Sequence, residues 1–286
     1  MLIQEAEAEP GPAAGRLNGV PRPESLLLAF FGAHLLDRDS AVAVGSVIEV
    51  LGLLGVGEHA ARATLKRMTQ RGLLGTTRHG RQAYVQLTPR ATAVLREGAN
   101  RLDARMADRD WDGRWTLLAF SVPESRRDDR NALRTRLRWA GFGLLRDGLW
   151  IAPSGEGVAG KLAKLDLLDY VKIFRAESLT PADPRLLVSE AWDLSGLARA
   201  YRSFLDRWAQ STRDALDPLT GRMLLEAEWL LLIRDDPRLP LNLLPDGWPG
   251  IAAEEAFSSL RQKVLEPSQR LAETTLSWLS LPPDNR

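Results

Sequence analysis

The 286-residue chain has no cysteine, a formal net charge of +1, 44% hydrophobic and 26% charged residues. These values exclude disulfide frameworks, thiolate metal centres and cysteine nucleophiles, and they describe an ordinary globular protein long enough for two or three domains. No apolar run reaches the roughly 18 uninterrupted residues of a membrane span, because charged residues break every leucine-rich stretch; the expectation is a cytoplasmic protein with no membrane partner.

Residues 1–22 read as a flexible tail, since Met1 to Asn18 is acidic, rich in Ala, Gly and Pro, and lacks the basic-then-apolar order of a signal peptide. Residues 23–88 read as a winged helix-turn-helix domain. Glu24 to Leu36 is apolar almost throughout and predicts a largely buried first helix, followed by a polar break at Asp37 to Ser40. Val44 to Leu54 predicts a second helix, and Gly55-Val56-Gly57 a tight turn. Gly57 to Arg71 predicts a third, with Ala61, Leu65 and Met68 as an inward stripe and Gly72 as its stop. Leu73 to Arg78 and Arg81 to Leu87 are short strands joined at His79-Gly80, where glycine supplies the positive φ of a hairpin.

Residues 89–110 predict a linker helix opened by Thr88 and Pro89. In 111–180 the pattern becomes β-α-β-β-α-β: strands at Trp115 to Val122, Gly143 to Arg146, Leu149 to Ala152 and Tyr170 to Phe174, with helices at Asp128 to Ala140 and Gly157 to Leu168. That order is ferredoxin-like. Residues 181–286 predict a mostly α-helical domain, with apolar positions recurring at Leu194 to Trp208, Met223 to Ile233 and Phe257 to Trp278. The prolines between Asp235 and Gly250 forbid helix, and the leucines beside them make a packed loop. The fold class is therefore α+β and multidomain.

Charge is unevenly distributed. Between Gly57 and Arg105 ten Lys and Arg residues face three carboxylates, so the rest of the chain is net acidic. A basic module on an acidic body is the footprint of a domain that meets phosphate. At about 100° per residue, His59, Arg62, Lys66, Thr69 and Gln70 lie opposite the apolar stripe of the third helix, and Arg67 and Arg71 extend the set. Arg and Gln suit base edges; Lys and Thr suit phosphate oxygens. The hairpin tip adds Arg78, His79 and Arg81, placed to touch the backbone or minor groove of double-stranded DNA. A solvated basic face is the alternative for the helix alone, and the adjoining hairpin favours DNA.

No catalytic, cofactor or metal site is expected. His34 lies in an apolar helix and reads as a core residue; Asp235-Asp236 precedes proline and reads as a turn device. Motifs of zinc hydrolases, serine hydrolases and nucleotide-binding loops are absent. Of the nine tryptophans, whose faces suit an aromatic or adenine-bearing ligand, Trp192, Trp208, Trp229 and Trp278 sit in helical patterns and read as packing.

Three blocks, Val44 to Leu74, Trp111 to Pro153 and DDPRLPLNLLPDGWPG at 235–250, resemble the PaaX-like family of phenylacetic-acid degradation repressors. The resemblance covers nearly all of the chain after Val20, and the third block is its most specific part. It implies a homodimeric transcriptional repressor of a catabolic operon, with a winged helix, a middle domain like the small CRISPR-associated nucleases and a helical C-terminal domain. It also implies release from operator DNA by an acyl-CoA, phenylacetyl-CoA in the namesake case. A metal-dependent nuclease is the alternative reading of the middle domain, but its first strand is followed by Ser121-Val122-Pro123 where those nucleases carry an aspartate. The sequence does not rank the arginines that would hold an effector, among them Arg114, Arg126, Arg127, Arg130, Arg134, Arg136 and Arg138.

Overall fold

A computed structural model describes residues 16–17, 20–103, 111–154, 158–163, 167–209, 216–234 and 236–281. Most of the expected tail, residues 104–110 of the expected linker helix and Asp235 lie outside the described residues. The chain divides into two compact units: Met1–Ala104, Asp206–Leu231 and Glu255–Arg286 make the first, and Arg105–Leu205 with Leu232–Glu254 the second.

In the first unit a short pair, β1 (Arg16–Leu17) and β2 (Val20–Pro21), precedes α1 (Pro23–His34). Proline opens α1 where its missing N–H costs nothing, and Leu26, Leu27, Phe30 and Phe31 are wholly buried. The break after it ends in a strand the sequence did not signal, β3 (Ser40–Ala43), which leads directly into α2 (Val44–Leu53). Four small residues are too few for a periodic pattern. A turn through Gly55, at φ +79°, leads to α3 (Glu58–Gln70). The expected stripe of Ala61, Leu65 and Met68 is buried. Gly72 ends the helix at φ +69°, a backbone that other residues adopt only with strain.

Strands β4 (Leu74–His79) and β5 (Gln82–Leu87) form the hairpin, closed by Gly80 and Arg81. Gly80 alone has positive φ, +60°, which makes this a two-residue turn with glycine at its first position. Thr88 caps α4 (Pro89–Asp103), its Oγ1 accepting from the Ala91 N–H at 3.2 Å. The sheet order is β10-β3-β5-β4, all antiparallel. Its outer strand β10 (Trp278–Ser280) comes from the far end of the chain, so the helical pattern read as far as Trp278 ends earlier and the apolar residues after it are strand.

The second unit holds β6 (Arg114–Phe120), α5 (Arg127–Trp139), β7 (Gly143–Arg146), β8 (Leu149–Ala152), α6 (Val158–Ala163) and β9 (Val171–Glu177). The antiparallel order β7-β8-β6-β9 places the first and third strands in the centre, as in a ferredoxin-like sheet. Alternation along the strands divides the packing. Leu118, Trp150 and Ala152 join Leu133, Leu137 and Leu162 on the helix-covered face, while Trp115 and Ile151 join Val188, Leu239, Leu243 and Leu244 on the other. That second face is covered by α7 (Pro184–Ala191), a helix the sequence reading passed over, and by the proline-rich segment after residue 235.

Among the described residues three further α-helices follow: α8 (Leu194–Arg207), α9 (Pro218–Arg234) and α10 (Pro249–Thr275). Within the first unit α9 is buried nearly all round, with Trp229 stacked on Phe257 at 4.5 Å and 7°. Its charges are partnered. Arg222 and Arg261 bond Glu226 at 3.0 and 3.2 Å, and Glu228 accepts from Trp208 Nε1 at 2.9 Å, as burial of ionised groups requires. Among the described residues no helix is long and apolar enough to cross a membrane.

Candidate nucleic-acid interface

Packing of Ala61, Leu65 and Met68 into the core leaves the other side of α3 to solvent. His59, Arg62, Lys66, Arg67 and Gln70 are exposed there, and Arg78, His79 and Arg81 are exposed at the hairpin tip. The side chains of His59, Lys66, Gln70, Arg78, His79 and Arg81 make no hydrogen bond or ion pair with a described residue. Lys66, Arg78 and Arg81 thus present cations that nothing described in the chain neutralises.

The other members of the sequence-derived set are committed internally to different degrees. Arg62 pairs with Glu58 at 2.8 Å one turn earlier, but both ends are more than half exposed, so an incoming acceptor can displace the carboxylate at small cost. Arg67 donates to Thr64 Oγ1 at 2.9 Å, and that hydroxyl donates to the Ala60 carbonyl at 2.8 Å. Thr69 is half-buried and its hydroxyl donates to the Leu65 carbonyl at 3.0 Å. Arg71 turns inward: it ion-pairs with Glu24 of α1, and its carbonyl accepts from Arg90 at 3.0 Å.

The sequence reading did not foresee the two carboxylates. The Glu58–Arg62 pair has the legible i,i+4 spacing of helical ion pairs. Glu24 and Arg71 lie 47 residues apart, and no local pattern reports such a contact.

His34 is buried beside Ser268, whose hydroxyl lies 3.5 Å from Nε2. Burial, then the positive charges of Arg222 and Arg38, push its pKa down to about 3 against the opposing effect of its hydrogen bond with Gln269. The ring is a neutral core group, far from any role in binding anions.

In the second unit, Ser121 follows β6 and its N–H bonds the Tyr170 carbonyl at 3.0 Å; β6 itself carries no carboxylate. Among the described residues no cluster of three or more His, Asp or Glu could hold a metal ion. Asp236 acts as a turn device: its carboxylate accepts from the Arg238 N–H at 2.5 Å and from the Tyr201 hydroxyl. Burial and then the Asp236 charge raise the Tyr201 pKa, so the phenol stays the donor.

Three family models match the chain in sequence: "PaaX-like protein" over residues 22–91, "PaaX protein central Cas2-like domain" over 108–188 and "PaaX-like protein C-terminal domain" over 192–274. The transcriptional repressor PaaX of Escherichia coli strain K12 is 29% identical over 280 residues, spanning 92% of this chain and 85% of the repressor. An uncharacterized protein from Mycobacterium tuberculosis has a similar solved structure, with TM-score 0.59, 26% identity, and coverage of 87% of this chain and 97% of that one.

Proposed function

Because the chain belongs to the PaaX-like family of transcriptional repressors, we propose that it is a DNA-binding repressor of a phenylacetate-type catabolic operon. In this reading residues 23–88 are a winged helix: α3 enters the major groove and the β4–β5 hairpin is the wing. The observation that carries the reading is the outward, unpartnered set of Lys66, Arg78 and Arg81 beside the exposed Arg62 and Gln70. Phosphate neutralisation by such cations supplies affinity, and base-edge contacts by Arg or Gln supply preference. The protein acts as a homodimer whose two α3 helices read half-sites about 34–36 Å apart, or a multiple of that spacing.

A small effector, an acyl-CoA thioester such as phenylacetyl-CoA, releases the repressor. Release requires only that the thioester bind the DNA-free state more tightly, and a coupling of about 1–3 kcal/mol gives roughly 5- to 150-fold. The similarity to a repressor points to regulation rather than catalysis, and β6 lacks a carboxylate that would support the nuclease alternative. Fluorescence anisotropy with DNA from upstream of the chain's own operon tests the reading, with light scattering for the dimer. Tight binding that weakens with salt and with phenylacetyl-CoA is expected; no preference for that DNA over a scrambled duplex would overturn it.

A further inference from the structure

The 235–250 block is the most specific run of the sequence, yet the DNA-binding reading makes no use of it. Within the second unit it forms one wall of an open cleft of about 550 Å³, opposite the first turns of α8. That volume falls in the range of small-molecule sites. The cleft's flat surfaces are the half-exposed indoles of Trp192 and Trp248. Both lie against glycines that leave no room for a side chain. A Cβ on Gly143 would meet Trp192 Cε2 at 2.6 Å, and one on Gly250 would meet Trp248 Nε1 at 2.5 Å. Trp248 also packs edge-on against Tyr201 at 6.1 Å, and Tyr201 is tied to Asp236. Trp248 of the block and Trp192 at the end of α7 therefore form a closely packed aromatic surface, and a surface already ordered lowers the ordering cost of binding.

Two guanidinium groups and two carboxylates, Asp193 and Asp246, make up the charged part of the cleft's lining. Arg199 and Arg202 are exposed, three residues apart on α8, and line it together. Arg202 makes no hydrogen bond or ion pair with a described residue; Arg199 donates to Ser195 Oγ at 3.4 Å, and its charge helps to hold the Asp193 carboxyl below its ordinary range. The nearby Asp193 is occupied in capping α8, accepting from Ser195 Oγ and the Gly196 N–H at 2.8 Å each. We propose that this cleft binds an organic anion with a flat aromatic or acyl body, its phosphate or carboxylate on Arg199 and Arg202 and its apolar part on Trp192 and Trp248. Guanidinium pairs suit such oxyanions, and indole faces suit such bodies. The proposal gives the effector of the previous section a site, and rests on that reading only for its consequence at DNA.

Titrations of the full-length protein with phenylacetyl-CoA, free coenzyme A and phenylacetate, followed by calorimetry and tryptophan fluorescence, test it, and the three compounds separate phosphate from carboxylate recognition. At least one is expected to bind wild type saturably, with Arg199→Ala and Arg202→Ala each weakening it about tenfold or more at unchanged melting temperature and DNA affinity. Equal binding by both variants, or no binding of any of the three to wild type, overturns the site. If phenylacetyl-CoA releases wild type from DNA while the variants still bind it normally, the cleft is wrong and the effector reading stands. If it binds through the two arginines and leaves DNA affinity unchanged, the cleft is right and the effector reading falls.

Discussion

Two stretches of this chain are rich in arginine, and they use it in opposite ways. On α3 and the β4–β5 hairpin, Lys66, Arg78 and Arg81 stand in solvent with no described partner. Around α5 several arginines are spent inside the unit: Arg126 bonds Asp129 at 2.6 Å and lies 5.1 Å from the Tyr170 ring, Arg130 pairs with Glu124 at 2.9 Å, and Arg138 lies over Trp150 at 5.8 Å. Local charge density is similar, so density alone locates no interface. What separates the two is whether a carboxylate or an aromatic face lies within reach, because a phosphate must displace whatever already holds the guanidinium.

The largest effect should follow from removing the unpartnered cations together. Lys66→Ala, Arg78→Ala and Arg81→Ala combined should cost about two to three orders of magnitude in DNA affinity near 0.1 M salt, and flatten the log–log salt slope by about 0.9 per lost phosphate contact. Nonspecific and operator DNA should suffer alike. The matching triple variant Arg126→Ala, Arg130→Ala and Arg138→Ala should leave affinity and slope unchanged. Equal losses in both triples, measured by anisotropy over a salt series, would break the comparison.

Histidine repeats the contrast within the first unit, where His59 and His79 are exposed and His34 is buried. Its folded pKa of about 3 lies below the ordinary 6.5 of the unfolded chain, so on acidification the unfolded state takes up the proton first. Stability is intact above pH 6.5 and falls on acidification towards pH 3, by about 1.4 kcal/mol per unit and so about 2 kcal/mol by pH 5. Urea midpoints between pH 7 and 5 should show this slope in wild type and a shallower one in His34→Leu. Identical slopes would mean that the buried ring is not the group being protonated.

Arg62 lies between the two classes, exposed yet paired. If it reads a base, Arg62→Ala should cost about 1–3 kcal/mol on the operator and relax preference at one position per half-site, with less effect on nonspecific DNA. Glu58→Gln should act in the opposite direction, tightening binding a few-fold by freeing the guanidinium and removing a negative charge from the approach to phosphate. A Glu58→Gln variant that binds more weakly than wild type would show that the pair positions Arg62 for its contact.

How much of this was legible follows the range of the interactions. The stripe of Ala61, Leu65 and Met68, the glycine stops and the β-α-β-β-α-β order depend on local periodicity and backbone chemistry, and sequence reports both. Strand β10 was missed because it pairs with β3 more than 230 residues away, and three residues cannot advertise a partner. The outward face of α3 was readable from helical geometry alone. Which of its cations remain available was not wholly readable, since Arg71 is engaged by Glu24 of α1, 47 residues away. Trp192 and Trp248 illustrate the same limit. Packing is the correct default for an indole, and only the folded cleft shows that these two keep part of their faces open.

Arg71 is the sharpest internal control, because it belongs by sequence to the basic helix and by structure to the α5 class. Its guanidinium pairs with Glu24, with side-chain exposures of 34% and 26%. Removing it strands a carboxylate that is three-quarters buried, and an unpartnered, largely desolvated charge costs more than the lost attraction. Because the site keeps some solvent, Arg71→Ala should destabilise the fold by about 1–2 kcal/mol, below the range for fully buried pairs. Much of that should return in the double variant with Glu24→Gln, which removes the stranded charge. DNA affinity of the folded protein should change less than twofold, the smallest effect of the series despite the loss of a full positive charge from the basic helix. Denaturant midpoints and anisotropy on the same preparations measure both quantities. Should Arg71→Ala instead leave stability intact and weaken DNA binding as strongly as Arg78→Ala, the ion pair with Glu24 gives way to phosphate in the complex, and an internal partner no longer marks a cation as unavailable.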